Sequence, residues 1–226
     1  MTDDLERVST YLGKKGYTIY KEALTMPELT YIRKTLTVKP QVNNNALAKA
    51  STFPIYRESN KKIYLPRYFG EDNYGEPDVN ILNDGEDINL PFIGDLRDFQ
   101  IPIVKKFTDA YHKGHGGLIE LPCGRGKTVC ALKILSNINK KTLIIVHKDF
   151  LLNQWTERIE QFLPNARIGK IQGQIVNIEN KDIVIGMLQS LSMKSYESNL
   201  FESFGLTIID EVHHIGAEVF SRALNN

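Results

Sequence analysis

The chain has 226 residues, with 28 Lys and Arg against 27 Asp and Glu, for a formal charge of +1; that length suits one domain, or one with a smaller companion. A hydrophobic fraction of 42% and a charged fraction of 24% exclude wholesale disorder, and the near-neutral total excludes a uniformly basic coat for nucleic acid. Two cysteines, Cys123 and Cys130, exclude a disulfide framework or a four-ligand zinc site, and the lack of a bilayer-length apolar run or an apolar leader predicts a soluble, intracellular protein.

Along the chain the charge is not even. Residues 12–70 carry eleven basic groups against three acidic ones, a balance of +8, and residues 71–98 carry one against nine, a balance of −8. The first stretch reads as a small basic α+β domain over residues 1–70. Thr25, Pro27 and Glu28 form a capping-box start for a short helix through Leu29, Ile32 and Leu36. Phe53–Arg57 and Lys62–Arg67 alternate as the arms of a hairpin across Glu58–Lys61. Tyr56, Tyr64, Arg57 and Arg67 are its candidate contacts to nucleic acid or a protein partner, with a merely solvated basic surface as the competing account. Residues 71–91, acidic and punctuated by Gly75, Pro77, Gly85 and Pro91, read as a linker.

From residue 92 onward the pattern changes. Ile101, Val104, Lys105, Thr108 and Tyr111 form a helical stripe. Apolar runs at Gly117–Leu121, Thr142–Val146, Asp182–Leu188 and Leu206–Asp210 read as strands buried on both faces. Helical patterns at Lys127–Ser136 and Phe150–Leu163 lie between them, the second with Asp149 as its cap and Pro164 past its end. Strand alternating with helix predicts an α/β fold, a parallel sheet covered by helices on both faces, with phosphate-binding loops at the carboxyl ends of its strands.

One such loop is Leu121-Pro-Cys-Gly-Arg-Gly-Lys-Thr128, between a predicted strand and a helix. Leu121 stands where the general phosphate-loop pattern has its first glycine. The rest, Pro122, Cys123, Gly124, Arg125, Gly126, Lys127 and Thr128, keeps what the chemistry demands. Glycines let successive N–H groups converge on phosphate oxygens, and the helix N-terminus adds positive potential. Lys127 supplies a charge for the β- and γ-phosphates, and Thr128 a hydroxyl for magnesium. The competing account is a glycine-rich turn that happens to hold a lysine. About eighty residues later Ile208-Ile-Asp-Glu-Val-His-His214 ends an apolar strand in two carboxylates: Asp210 to hold Mg²⁺, and Glu211 to orient or deprotonate the attacking water. The pair and the loop together predict a site for ATP and Mg²⁺. Upstream, Gln100 offers a donor and an acceptor for the adenine edge, with Arg97 or Phe99 against the ring.

Leu96–Gln100, Pro122–Thr128 and Asp210-Glu-Val-His213 resemble the Q motif, motif I and motif II of superfamily 2 helicases. They are most similar to the DEVH branch of XPB-type repair helicases and of phage and large-DNA-virus helicases, including the poxvirus transcript-release type. Val146–Trp155, Ile171–Gly173 and Ile185–Leu191 share the likeness, which covers residues 92–226 strongly and the N-terminal unit loosely. The resemblance implies a RecA-like ATP-binding lobe. It implies that His147, Lys148, Gln172, Gly173, Gln189 and Ser190 lie near a DNA or RNA backbone, and that His213 couples the nucleotide site to nucleic-acid movement. It further implies a second RecA-like lobe, in cis or in trans, that brings arginines to the transferring phosphate. No second set of motifs follows His213 before Asn226. The expectation is therefore an excised fragment, a truncated product or half of a split motor, weakly active alone and viral if the likeness holds. A non-catalytic nucleic-acid or protein binding module and a double-strand translocase subunit that never separates strands stay open. Trp155 and Phe150 are expected to pack rather than stack on bases.

Overall fold

A computed structural model describes residues 9–39, 52–197 and 199–212, and the chain divides into two compact units, Met1–Leu82 and Asn83–Asn226. In the first unit, β1 (Thr10–Gly13) and β2 (Gly16–Tyr20) form a hairpin, followed by a short 3₁₀ turn and α1 (Met26–Thr35). Then come β3 (Thr37–Val38), β4 (Phe53–Pro54), β5 (Arg57–Glu58), β6 (Lys62–Leu65), α2 (Arg67–Tyr74) and β7 (Val79–Asn80). The main sheet runs β5-β6-β2-β1-β7. Helix α1 starts as its sequence dictates: Thr25 and Glu28 cap each other in a complete capping box, with Pro27 in the first turn. Alternation along the strands sends Tyr17, Ile19, Ile63 and Leu65 into a core with Leu29, Ile32 and Leu36. Tyr11, Tyr20, Lys62 and Tyr64 fall on the other side of the sheet.

Two expectations for this unit change. Only Arg57–Glu58 pairs with β6, while Phe53–Pro54 pairs with Thr37–Val38, so the first hairpin arm is shared between two sheets. The acidic stretch 71–91 is divided between the units instead of bridging them. Its start completes α2, and Val79–Asn80 pairs in parallel with Tyr11–Leu12. From Asn83 it belongs to the second unit, where Glu86 meets Lys141 at 3.0 Å, Asp87 meets Lys140 at 2.8 Å, and Leu90 is buried. In composition the +8 block is thereby offset within its own unit, Met1–Leu82, which holds twelve basic and ten acidic residues. Of the candidate contacts, Tyr56 packs on the core, Arg67 pairs with Glu71, and Arg57 and Tyr64 are cross-strand partners.

The second unit contains α3 (Gln100–His112), α4 (Lys127–Ile138), β8 (Thr142–Val146), α5 (Asp149–Phe162), β9 (Ile168–Gln172), β10 (Ile175–Asn177), β11 (Ile183–Met187), α6 (Leu188–Met193) and β12 (Leu206–Ile209). Its sheet runs β10-β9-β11-β8-β12; β9, β11, β8 and β12 are parallel and only β10 is antiparallel. Strands β8 and β11 are buried at every position, as their unbroken apolar runs require. Ile144 and Val146 face the α3–α5 side, and Leu143 and Ile145 face α6 with Tyr196, Phe201 and Phe204. This is the predicted α/β architecture of a RecA-like lobe.

Three local expectations are corrected. Residues 117–121 carry no strand: Ile119 and Leu121 pack on the core, but a cleft lies where their backbone would meet β12, and pairing needs a partner ~4.8 Å away. Asp149 is the first residue of α5 and not its cap; its carboxylate accepts from Gln172 Nε2 at 2.9 Å. Trp155 is buried, but Phe150 is 62% exposed. Among the described residues no helix is long and apolar enough to cross a membrane.

Candidate functional site

The loop before α4 has the backbone that its glycines predict. Gly124 and Gly126 have φ of 75° and 77°, in the left-handed region that side chains disfavour, and Gly126 is the N-cap of α4. A Cβ on Gly126 would lie 2.5 Å from the Gln100 Nε2. The Lys127 Nζ donates to the Leu121 carbonyl at 3.0 Å, closing the loop on its first residue. Gln100 braces the loop from behind: 3% exposed, it donates through Nε2 to the Arg125 carbonyl at 3.0 Å and accepts through Oε1 from the Arg97 N–H at 2.9 Å. The side chain expected at an adenine edge thus spends one of its two N–H donors and one acceptor lone pair on the backbone around the loop. Arg97 contributes its backbone to that brace. The Arg125 guanidinium lies 5.5 Å from the Phe99 ring.

Across the unit, β12 delivers Asp210 and Glu211. The Asp210 N–H donates to the Ile145 carbonyl at 3.0 Å, extending the pairing with β8 by one residue. Asp210 Oδ2 accepts from Trp155 Nε1 at 2.8 Å. Glu211 holds a left-handed backbone, φ 53°, a cost of roughly 1–3 kcal/mol that clusters at functional sites. Lys127, Thr128, Trp155, Asp210 and Glu211 line a single cleft of about 580 Å³, with 117–121 as its far wall. Residues about eighty positions apart are therefore brought together. Pro122, Cys123, Gly124 and Arg125 belong to the loop that joins the two lining segments at Leu121 and Lys127 but do not themselves line the cleft, and Cys123 is exposed. His213 lies outside the described residues.

The donor set of this cleft fits a hard divalent cation bound with phosphate. It offers the Thr128 hydroxyl in the first turn of α4 and an Asp210 carboxylate with one oxygen held by Trp155, leaving Oδ1 without a hydrogen bond among the described residues. No group of three or more His, Cys, Asp or Glu among the described residues could hold a metal without such a ligand.

A second, open cleft is lined by His147, Lys148, Asp149, Gln172, Gln189 and Ser190. Apart from Gly173, it gathers the candidate nucleic-acid contacts, which come from the carboxyl ends of β8, β9 and β11 and the residues just after them. They are cross-braced: Gln189 Nε2 donates to the His147 carbonyl and Gly173 N–H to Ser190 Oγ, both at 2.9 Å. Sequence reasoning missed two groups, the Gln100 brace and the Trp155 bond to Asp210. The second had a signal, since a buried indole N–H requires an acceptor.

Residues 93–226 match the family model described as the type III restriction enzyme, res subunit. A protein of Acanthamoeba polyphaga mimivirus that bears the name of an ATP-dependent RNA helicase is 36% identical over 219 residues, covering 95% of this chain and 42% of that one. A Sulfurisphaera tokodaii protein named as a DNA 3'-5' translocase of XPB type is 37% identical over 158 residues, covering 69% of this chain and 33% of that one. The chain thus spans less than half the length of these curated relatives. The solved ATPase core domain of the Sulfolobus solfataricus SWI2/SNF2 protein superposes with a TM-score of 0.50 at 18% identity, covering 62% of this chain and 30% of that one, a likeness of fold.

Proposed function

The chain belongs to the family described as the type III restriction enzyme res subunit, and from that membership we propose that it carries the ATP-binding lobe of a superfamily 2, DEVH-type motor that couples ATP hydrolysis to movement along DNA or RNA or to separation of its strands. The observation that carries this reading is the single cleft joining Lys127 and Thr128 to Asp210 and Glu211. Backbone N–H groups from Gly124 to Thr128 and the start of α4 bind the ATP phosphates, which the left-handed backbone of Gly124 and Gly126 favours. Lys127 exchanges the Leu121 carbonyl for phosphate oxygens. Thr128 and Asp210 hold Mg²⁺, which supplies charge neutralisation at the β- and γ-phosphates. Glu211 orients the attacking water and accepts its proton. Arg97 and Arg125 border the nucleotide, while Gln100 keeps the loop shut behind it.

Lys148, with Gln172, Gly173, Gln189, Ser190 and His147, contacts a nucleic-acid backbone in the second cleft, where side-chain amides, a hydroxyl and one cation suit phosphate and sugar. His213 couples that contact to the nucleotide. A second RecA-like lobe, in cis or in trans, completes the catalytic site with arginine, for which the greater length of the relatives leaves room. The first unit adds nucleic-acid affinity through the sheet face that carries Lys62 and Lys15 against Tyr11, Tyr20 and Tyr64, with cation-to-ring distances of 4.5–5.1 Å. The test is nucleotide retention: Lys127→Ala weakens Mg²⁺-ATP binding at least tenfold, and equal retention by wild type and variant refutes the reading.

A further inference from the structure

Asp210 is anchored twice, and both anchors belong to one continuous stretch of chain. Its backbone is fixed by the Ile145 carbonyl near the end of β8, and its carboxylate by the Trp155 indole in the second turn of α5. Between Ile145 and Trp155 lie His147, Lys148 and Asp149, three of the groups that line the second cleft. That stretch is tied to the rest of the cleft by the Gln172 bond to Asp149 and the Gln189 bond to the His147 carbonyl, each 2.9 Å. The start of α5 also presents a cation and a ring outward, with Lys148 Nζ 5.9 Å from Phe150.

Asp149 and Trp155 are six residues apart on one helix, about 9 Å along its axis at 1.5 Å per residue. Two hydrogen-bonded turns move as a body, so a shift of the first turn shifts the indole. At 3% exposure that indole has little access to water as a substitute acceptor. Separating it from Asp210 would leave a buried donor unpaired, which is more costly than moving the carboxylate with it. Packing alone would explain the buried ring but not the bond, since a phenylalanine offers an aromatic ring without an N–H donor.

We infer that Trp155 is a positioning residue: it links a polyanion seated at Lys148 and the start of α5 to the orientation of Asp210 in the nucleotide cleft. This rests on the reading of the two clefts proposed above and adds the physical link between them. By linkage, the same contact makes nucleic acid and Mg²⁺-ATP alter each other's affinity by one common factor.

The chain supplies its own probe, because Trp155 is its one tryptophan. Saturating the 226-residue chain with a 20-nucleotide oligo(dT) or oligo(U), without nucleotide, is expected to change Trp155 emission, and Lys148→Ala to remove the change. An emission spectrum unmoved by an oligonucleotide that binds, as judged by anisotropy of a labelled strand, overturns the inference and leaves the nucleic-acid reading intact. In a second measurement, binding of a fluorescent ATP analogue with Mg²⁺ is compared with and without oligonucleotide. The wild type is expected to show an affinity change of about 5-fold or more, and Trp155→Phe to lose most of it. An unchanged factor in Trp155→Phe overturns the inference. Failure of both ligands to bind the wild type overturns the proposed function, and this inference with it.

Discussion

Gly126→Ala is the sharpest perturbation of the phosphate loop, because two independent costs fall on one methyl group. The backbone there has φ 77°, and holding alanine in that region costs about 1–3 kcal/mol. The new Cβ would also sit 2.5 Å from Gln100 Nε2 and displace the amide that donates to the Arg125 carbonyl. A buried amide losing one bond adds about 0.5–1.5 kcal/mol. The sum, roughly 2–4 kcal/mol, corresponds to a fall of about 5–15 °C in the melting temperature of the second unit. Differential scanning calorimetry reads it, and a double-mutant cycle separates the two parts. In a Gln100→Ala background the clash is gone, so Gly126→Ala should cost less by about 1 kcal/mol, the backbone part remaining. The same penalty in both backgrounds would refute the brace, and no penalty in either would refute the left-handed loop.

Other predictions concern chemistry, charge and partners. Glu211→Gln should keep Mg²⁺-ATP binding while suppressing phosphate release, measured by single-turnover quench. Burial alone would raise the Asp182 carboxyl, but the Arg167 guanidinium at 2.6 Å and the Arg167 N–H outweigh it and hold the group below the ordinary carboxylate range. Its contribution is therefore complete above the unfolded-state value near pH 4 and is lost as pH falls through the depressed one. Asp182→Asn should lower the melting temperature at pH 7 and lose that deficit at strongly acid pH, as a paired scan would show. Oligonucleotide affinity of the full chain should fall steeply with salt, with a shallower slope after Lys62→Ala if the sheet face of the first unit takes part.

What could be read from sequence follows from how local each signal is. The capping box of α1, the helix after Gly126 and the apolar runs of β8, β11 and β12 are set by a few adjacent residues, and each element appears where its pattern puts it, although only β8 and β11 are buried throughout and β12 buries Leu206 alone. Pairings between distant segments were hidden. Val79–Asn80 joins the first unit by lying beside Tyr11–Leu12, and nothing in its acidic, glycine-flanked context announces a strand. The run 117–121 shows the converse: apolar enough to be buried, it lacks the backbone neighbour that would make it a strand. In the site, residue types and spacing marked Lys127, Thr128, Asp210 and Glu211, which share one cleft. They did not reveal the bonds of Gln100 to the loop, because a glutamine with two hydrogen-bonding ends serves a loop's backbone as readily as a ligand. The net charge of the first stretch misled for a similar reason: its neutralising partners lie outside the sequence window but inside the folded unit.

The proposed function stands on the glycine loop and the acidic pair forming one Mg²⁺-ATP site. Calorimetric titration of ATP, with and without Mg²⁺, into the wild-type chain and into Asp210→Asn tests it most directly, since asparagine still accepts from Trp155 while losing the charge. One ATP is expected to bind per wild-type chain, several-fold more tightly with Mg²⁺, with that gain lost in Asp210→Asn. An equal gain from Mg²⁺ in both proteins, or no ATP binding by the wild type, would contradict it.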